Sequence, residues 1–329
     1  MDDDQTDGTF EDALPPGFDT LLRGAFDVHM HGQPDLSAAF QNRGSDLGVA
    51  RLAHRYGLRG WVLKSHLWPT MDRARALNEQ LRDIDFTVLG SITLNPPAGG
   101  ISPTVVDFAA AHGARVVFLP TWSAQADVER GGYISTLLGR VSGTFPEYSR
   151  ASSQTVVDGN GALTPAARDV IHACKDLGLV LATGHLALEE SLAVVELATE
   201  LGVPVMITHP SHFTTDAELL REFTTQGAFV EFTGAPLLHP LGHERVRDVF
   251  EMIQVLGPDQ VILSSDVFSR WVPPEPECLR ILAEQLTYLG SSRTALRRML
   301  VENPHRLLGL PVPAETFPAD TVPGETIRA

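Results

Sequence analysis

The chain has only two cysteines in 329 residues, Cys174 and Cys278, and both fall in stretches with helical spacing. That scarcity excludes a disulfide framework and points to a reducing cytoplasm. No apolar run reaches the ~20 residues that span a bilayer, so no membrane segment is expected. The opening Met1-Asp2-Asp3-Asp4 has neither a basic segment nor an apolar one behind it, which argues against a secretory leader. Basic residues are outnumbered, with 25 Lys and Arg against 41 Asp and Glu and a formal net charge of −16. This balance gives no cationic face for nucleic acid or for an anionic membrane, and a small molecule becomes the expected partner. A homo-oligomer stays open on base rates alone. No GxGxxG or phosphate-binding loop follows any apolar run, and no internal repeat is visible.

What the chain does have is alternation. Apolar content is 43%, enough for a sizeable core. Short apolar runs near 25–29, 60–64, 86–92, 115–119, 179–183, 204–208, 228–232 and 261–265 read as buried strands. Helical patterns lie between them: Asp46–Tyr56, Met71–Asp83, Pro103–Ala111, Pro165–Leu177, Leu188–Leu201, Asp216–Gln226, His243–Leu256 and Glu275–Leu289. Ser102-Pro103 and Thr164-Pro165 are helix starts, and Gly57, Gly113, Gly178, Gly202 and Gly227 stand where helices should stop. Strand and helix in eightfold alternation predict a (β/α)8 TIM barrel over residues 21–310. Residues 122–163 are too long for a simple connection and predict an insertion over the C-terminal strand ends. Residues 1–20 form an acidic arm and 311–329 a tail rich in Pro, Thr and Glu.

In such a barrel chemistry collects at the C-terminal strand ends. The first is Asp27-Val28-His29-Met30-His31, whose two imidazoles share one strand face at i and i+2. Later ends bring Lys64 with His66, then His185, His209, Glu231 and Asp266. Taken singly, His185 and His209 read more often as hydrogen-bonded structural residues, and Asp266 as a helix cap or loop acid. Together, on neighbouring strand ends beside an HxH pair, they favour a divalent-metal site. Strand eight closes beside strand one, so Asp266 comes within reach of an ion held by His29 and His31. Lys64, at the end of a buried strand, suits a substrate anion or a developing oxyanion, or else a salt bridge to a nearby acid. His66, Trp122, Glu231 and Arg270 are candidate substrate contacts by position, with Arg43, Arg150, His212 and Trp271 as further pocket residues.

These residues resemble the amidohydrolase superfamily of metal-dependent hydrolases. The resemblance rests on Asp27-Val28-His29-Met30-His31, Gly184-His185, Thr208-His209-Pro210, Ser265-Asp266 and the closing Glu302-Asn303-Pro304-His305-Arg306-Leu307-Leu308-Gly309. Within the superfamily the chain is similar to a group of compact amidohydrolase-like proteins with Lys-x-His after strand two. The resemblance implies one ion on His29, His31 and Asp266, and a second, where present, on His185 and His209. Strand four departs from the two-metal pattern: Val116-Val117-Phe118-Leu119-Pro120-Thr121-Trp122 has no bridging lysine or glutamate. Three arrangements follow: one ion, two ions sharing only water, or a carbamate on Lys64. Zinc suits an imidazole-rich set, with manganese, iron or nickel as alternatives. The implied activity is hydrolysis of an amide, cyclic amide, lactone or ester, with Asp266 moving the proton and His209 or Lys64 meeting the oxyanion. A metal-dependent decarboxylase of an unsaturated or aromatic acid is the alternative, and a ligand-binding barrel without turnover is the third.

Overall fold

The computed structural model describes residues 21–39 and 44–314. The predicted arm at 1–20, most of the predicted tail (315–329) and Arg43 lie outside the described residues. Eight strands pair in chain order as one parallel sheet: β1 (Phe26–His31), β2 (Gly60–Lys64), β3 (Thr87–Thr93), β4 (Ala114–Phe118), β5 (Val180–Ala182), β6 (Val205–Ile207), β7 (Phe229–Thr233) and β8 (Val261–Ser264). The helices are α1 (Asp46–Arg55), α2 (Met71–Gln80), α3 (Pro103–Ala111), α4 (Gln125–Arg130), α5 (Tyr133–Val141), α6 (Phe145–Ala151) and α7 (Pro165–Leu177). They continue with α8 (Leu188–Glu200), α9 (Ala217–Thr225), α10 (Ala235–Leu238), α11 (Val246–Leu256), α12 (Glu275–Leu289), α13 (Arg293–Arg297) and α14 (Asn303–Leu308). This is the predicted (β/α)8 barrel.

The ladder pairing runs from β1 to β8, and the seam between those two strands is closed differently. The Asp266 N–H donates to the His29 carbonyl at 2.8 Å, and the buried Asp27 carboxylate accepts from the Ser265 N–H at 3.2 Å and from the Ser265 hydroxyl. Burial pushes the Asp27 carboxyl up to about 6 despite those donors. One side chain thus takes the place of part of a ladder and pins the end of β8 beside the HxH pair.

Alternation along each strand splits the core in two. Val62, Val116, Phe118, Val180, Met206 and Ile262 fill the barrel interior, while Trp61, Leu63, Val117, Leu181, Val205 and Leu263 face the helices. Leu307 and Leu308 of α14 join the interior cluster beside Phe26 and close the barrel at the starts of the strands. Asn303 fastens that helix by donating to the carbonyls of Pro258 and Val261, each at 2.7 Å. Strand β1 breaks the alternation. Phe26 and Val28 are interior, but Met30 faces the helices, and the register with β2 shifts between Asp27 and Met30. A bulge reverses the side-chain phase. Without it, Phe26 and Val28 inside would leave His29 and His31 on the outer face.

The 122–163 insertion folds as α4, α5 and α6, tied back by a parallel bridge between Ala124 and Gln154 and an antiparallel one between Val157 and Leu163. Of the two predicted helix starts, Thr164 caps α7 by accepting from the Ala167 N–H at 3.2 Å, whereas Ser102 makes no side-chain cap. Pro103, preset for the first turn, suffices there. The predicted start of α11 at His243 moves to Val246, and His243, Glu244 and Arg245 instead line the cavity below. Both cysteines are buried, unpaired and helical, in α7 and α12. Among the described residues no helix is long and apolar enough to cross a membrane.

Candidate metal centre

Three donor atoms meet at the seam. Asp266 Oδ1 lies 3.1 Å from His29 Nε2 and 3.1 Å from His31 Nε2. All three residues are buried, and one donor atom from each falls within 4.8 Å of the others. Asp266 reaches this position with φ at 52°, in the left-handed region that a β-carbon disfavours.

Each imidazole is held from behind. His29 Nδ1 lies 3.2 and 3.1 Å from the two Glu231 oxygens, and Glu231 accepts from the Ser264 hydroxyl as well. His31 Nδ1 lies 2.9 Å from Asp35 Oδ2. A carboxylate behind Nδ1 leaves Nε2 as the ligating atom and fixes the ring plane. Asp35 is also shared. It takes the His66 Nδ1 hydrogen bond at 2.5 Å, the His66 N–H at 2.9 Å and the Ser65 hydroxyl at 2.8 Å. His31 and His66 accordingly stack, with ring centroids 4.3 Å apart and planes at 13°.

Charge in this buried volume follows from those contacts. Burial raises the Asp266 and Asp35 carboxyls, yet His29 outweighs it for the first, and His66 with His31 for the second. Both end well below the ordinary carboxylate range. Burial and Lys64 push the His29 imidazole down, but Asp266 and Glu231 on its two sides carry it up to about 9. A ring between two carboxylates thus calls for a positive charge beside it, which a divalent ion supplies as well as a proton does. Desolvation takes His66 down to about 3 and His185 to about 4, so both are neutral, with a lone pair to offer. The donors and their backing carboxylates fit a divalent cation.

Across the barrel the other two histidines are arranged less symmetrically. Gly184, at φ 63°, lets the chain after β5 turn so that the His185 N–H reaches the Pro120 carbonyl at 2.9 Å. A β-carbon there would stand 2.3 Å from the Leu119 carbonyl oxygen. His185 Nδ1 lies 2.9 Å from Asp127 of the insertion helix α4, and the same carboxylate binds the Arg130 guanidinium. His209 follows β6 at φ 28° and has its Nδ1 buried without a hydrogen-bond partner. Its ring lies 5.6 Å from His29, 5.0 Å from His185 and 4.1 Å from His212. Neither His185 nor His209 belongs to a three-donor group among the described residues.

A cavity of about 810 Å3 opens over these groups. His66, His185, His209 and Asp266 form its floor, and Tyr133, Ile134, Leu241 and Phe268 are among its apolar walls. Three predicted substrate contacts fall elsewhere. Glu231 is fully buried behind His29, because alternation along β7 turns it inward below the ligands. Trp122 is buried in the insertion against Phe145 and donates its indole N–H to the His66 carbonyl at 2.9 Å. Arg270 is exposed, with its guanidinium 4.9 Å from the Trp271 ring, and neither residue lines the cavity. Arg150 is likewise exposed on α6, while His212 lines the wall and lies 3.0 Å from Glu244. Lys64 lies below the floor, fully buried beside His29. Sequence reasoning missed Asp35 and Asp127. Asp35 stands four residues after His31, a spacing that could have flagged it. Asp127 had no local signal, since only the folding of the insertion brings it to His185.

The barrel is similar to those of several solved structures. It superposes on an amidohydrolase from Pseudomonas aeruginosa with a TM-score of 0.60 at 15% identity, covering 90% of this chain and 98% of that one. The probable dipeptidase PvdM from Pseudomonas aeruginosa gives 0.57 at 15% identity, over 89% of this chain and 96% of that one. The organophosphorus hydrolase from Deinococcus radiodurans gives 0.54 at 18% identity, over 89% and 94%. At these identities the likeness establishes the fold. Residues 24–231 match the model of DUF6282, a family of unknown function, and the chain belongs to that family. No curated protein matches the chain.

Proposed function

We propose that the protein is a metal-dependent hydrolase of a small molecule, acting on an amide, cyclic amide, lactone or ester. The observation that carries this reading is the meeting of His29 Nε2, His31 Nε2 and Asp266 Oδ1, with a carboxylate behind each imidazole. Zinc suits that donor set. A divalent ion held by these three residues would supply Lewis acidity and water with a pKa of roughly 7. Asp266, kept ionised and facing the cavity, takes the proton from the attacking water and returns it to the leaving group. His209, neutral and on the cavity floor, is the group we assign to meet the developing oxyanion. The apolar walls exclude water from the rest of the substrate.

The test is metal content of protein purified without added metal, followed by a panel of lactones, cyclic amides, dipeptides and aromatic acids. One or two equivalents of metal and hydrolytic turnover support the reading. Asp266→Asn should lower turnover by about 100-fold or more with the fold intact. Carbon dioxide released from an acid in the panel would transfer the site to the decarboxylase class. A chain that neither contains nor takes up metal would leave the ligand-binding barrel.

A further inference from the structure

One group at this site is not accounted for by ligation or by support. Lys64 ends β2 with its side chain inside the barrel, because Val62 and Lys64 share the interior face. It is fully buried, and its Nζ lies 2.9 Å from His29 Nε2, the same atom that meets Asp266 Oδ1 at 3.1 Å. Among the described residues this is the only hydrogen bond that the ammonium makes. The ammonium also lies 4.9 Å from the centroid of the Phe118 ring. An ammonium has three N–H donors, so a buried one with a single acceptor is held loosely.

The other side of His29 decides what Nε2 can offer. Glu231 faces Nδ1 with both oxygens, and an ionised carboxylate only accepts, so the ring proton belongs on Nδ1. A ring that ligates an ion gives up any proton on Nε2, and its one in-plane lone pair is then on that nitrogen, the atom that Lys64 Nζ already faces. An ammonium N–H and a metal ion cannot both use it. Two cations drawn to one nitrogen would also repel each other at a few ångströms inside a medium of low polarity.

We propose that Lys64 is a built-in competitor of the metal ion for His29, holding the affinity of the centre below what its donors alone would give. The inference rests on the metal-dependent reading above. Loading of the ion moves the ammonium off Nε2, below the cavity floor where Lys64 is buried. The same placement distinguishes Lys64 from a ligand. A lysine that bound the ion directly, or through a carbamate, would raise the affinity.

The full chain, stripped with a chelator and titrated with zinc against a chromophoric competitor, separates these cases. Lys64→Met, close in length and without charge, should bind zinc about tenfold tighter than wild type, and Lys64→Gln should shift in the same direction. Equal or weaker binding in a folded Lys64→Met protein overturns the proposal, as does a mass 44 Da above that of the chain plus its bound zinc in the loaded wild type, the mark of a carbamate. A second readout needs no variant of Lys64. The chain has only two lysines, Lys64 and the exposed Lys175, so lysine labelled with 13C at Cε yields two side-chain signals, assigned with Lys175→Arg. The Lys64 signal should move on adding zinc while that of Lys175 stays. A Lys64 signal that stays put also overturns the proposal. Wild type that takes up no zinc fails the metal-dependent reading itself, a result distinct from zinc uptake with no Lys64 effect.

Discussion

At the β1/β8 seam each imidazole has a carboxylate behind it that belongs to the barrel or to the loop leaving β1: Glu231 for His29 and Asp35 for His31. At β5 and β6 the support is of another kind. His185 leans on Asp127, which belongs to the insertion, and His209 has a buried Nδ1 with no hydrogen-bond partner. The first pair converges with Asp266 on one point, and the second pair does not form such a group. The contrast separates what the scaffold pre-sets from what depends on a grafted segment. Residues fixed by strand alternation and a shared seam come together whatever the insertion does. Residues backed by an insertion helix are coupled to how that helix packs.

The comparison can be broken most directly at its strong side. His29→Ala removes one of three converging donors, and zinc affinity should fall by more than about 100-fold, beyond the range for losing an outer partner. A His29→Ala protein that retains its zinc would mean that the seam is not the primary centre. Glu231→Gln keeps a hydrogen-bond acceptor behind His29 but deletes the charge. About a tenfold loss of zinc affinity is expected, read by the same titration, with little change in melting temperature.

Asp127→Asn tests the weak side. Affinity for the first ion should stay within about threefold of wild type, while any second equivalent detected in the native protein is lost. Were Asp127→Asn to weaken the first ion as much as Glu231→Gln, the two halves would be a single unit and the contrast would fail.

The smallest effect concerns the rear of the seam. Glu275, at the start of α12, is fully buried with neither oxygen hydrogen-bonded, and desolvation raises its carboxyl to about 8. The unfolded chain releases this proton near 4.5, the folded one only near 8. The folded state therefore holds the extra proton between those values, and stability falls as pH rises through that window, then levels off. Glu275→Gln should melt close to wild type at pH 5. At pH 8 it should be the more stable protein, because the unfolded wild type has by then released a proton that the folded state still holds. Parallel melting curves at the two pH values decide it, and an equal difference at both would remove the charge argument.

Much of this arrangement was legible in the chain. Apolar runs of strand length, each followed by a helical pattern, placed β2 at Gly60–Lys64 and α7 at Pro165–Leu177 without error, because burial on both faces of a parallel sheet leaves continuous apolar stretches. The ligand candidates were legible because polar residues at the ends of such stretches are conspicuous. Substrate contacts were not. Trp122 and Arg270 were chosen by nearness in sequence to strand ends, but loop paths set where those side chains go, and they go elsewhere.

Sequence alone determined the barrel and the candidate metal ligands at its strand ends, since hydrophobic periodicity and strand-end chemistry are local properties. Tertiary structure decided the rest. The HxH spacing puts two imidazoles on one face of β1 but does not say which face. The bulge between Asp27 and Met30 turns that face inward. Asp266 joins the pair only because β8 closes against β1 through the Asp27 carboxylate. Glu231, Asp35 and Asp127 become supports, and Lys64 a rival for the same nitrogen, through contacts between residues far apart in the chain. Hydrogen bonds of about 3 Å depend on how strands and loops meet in space, and no local pattern encodes that.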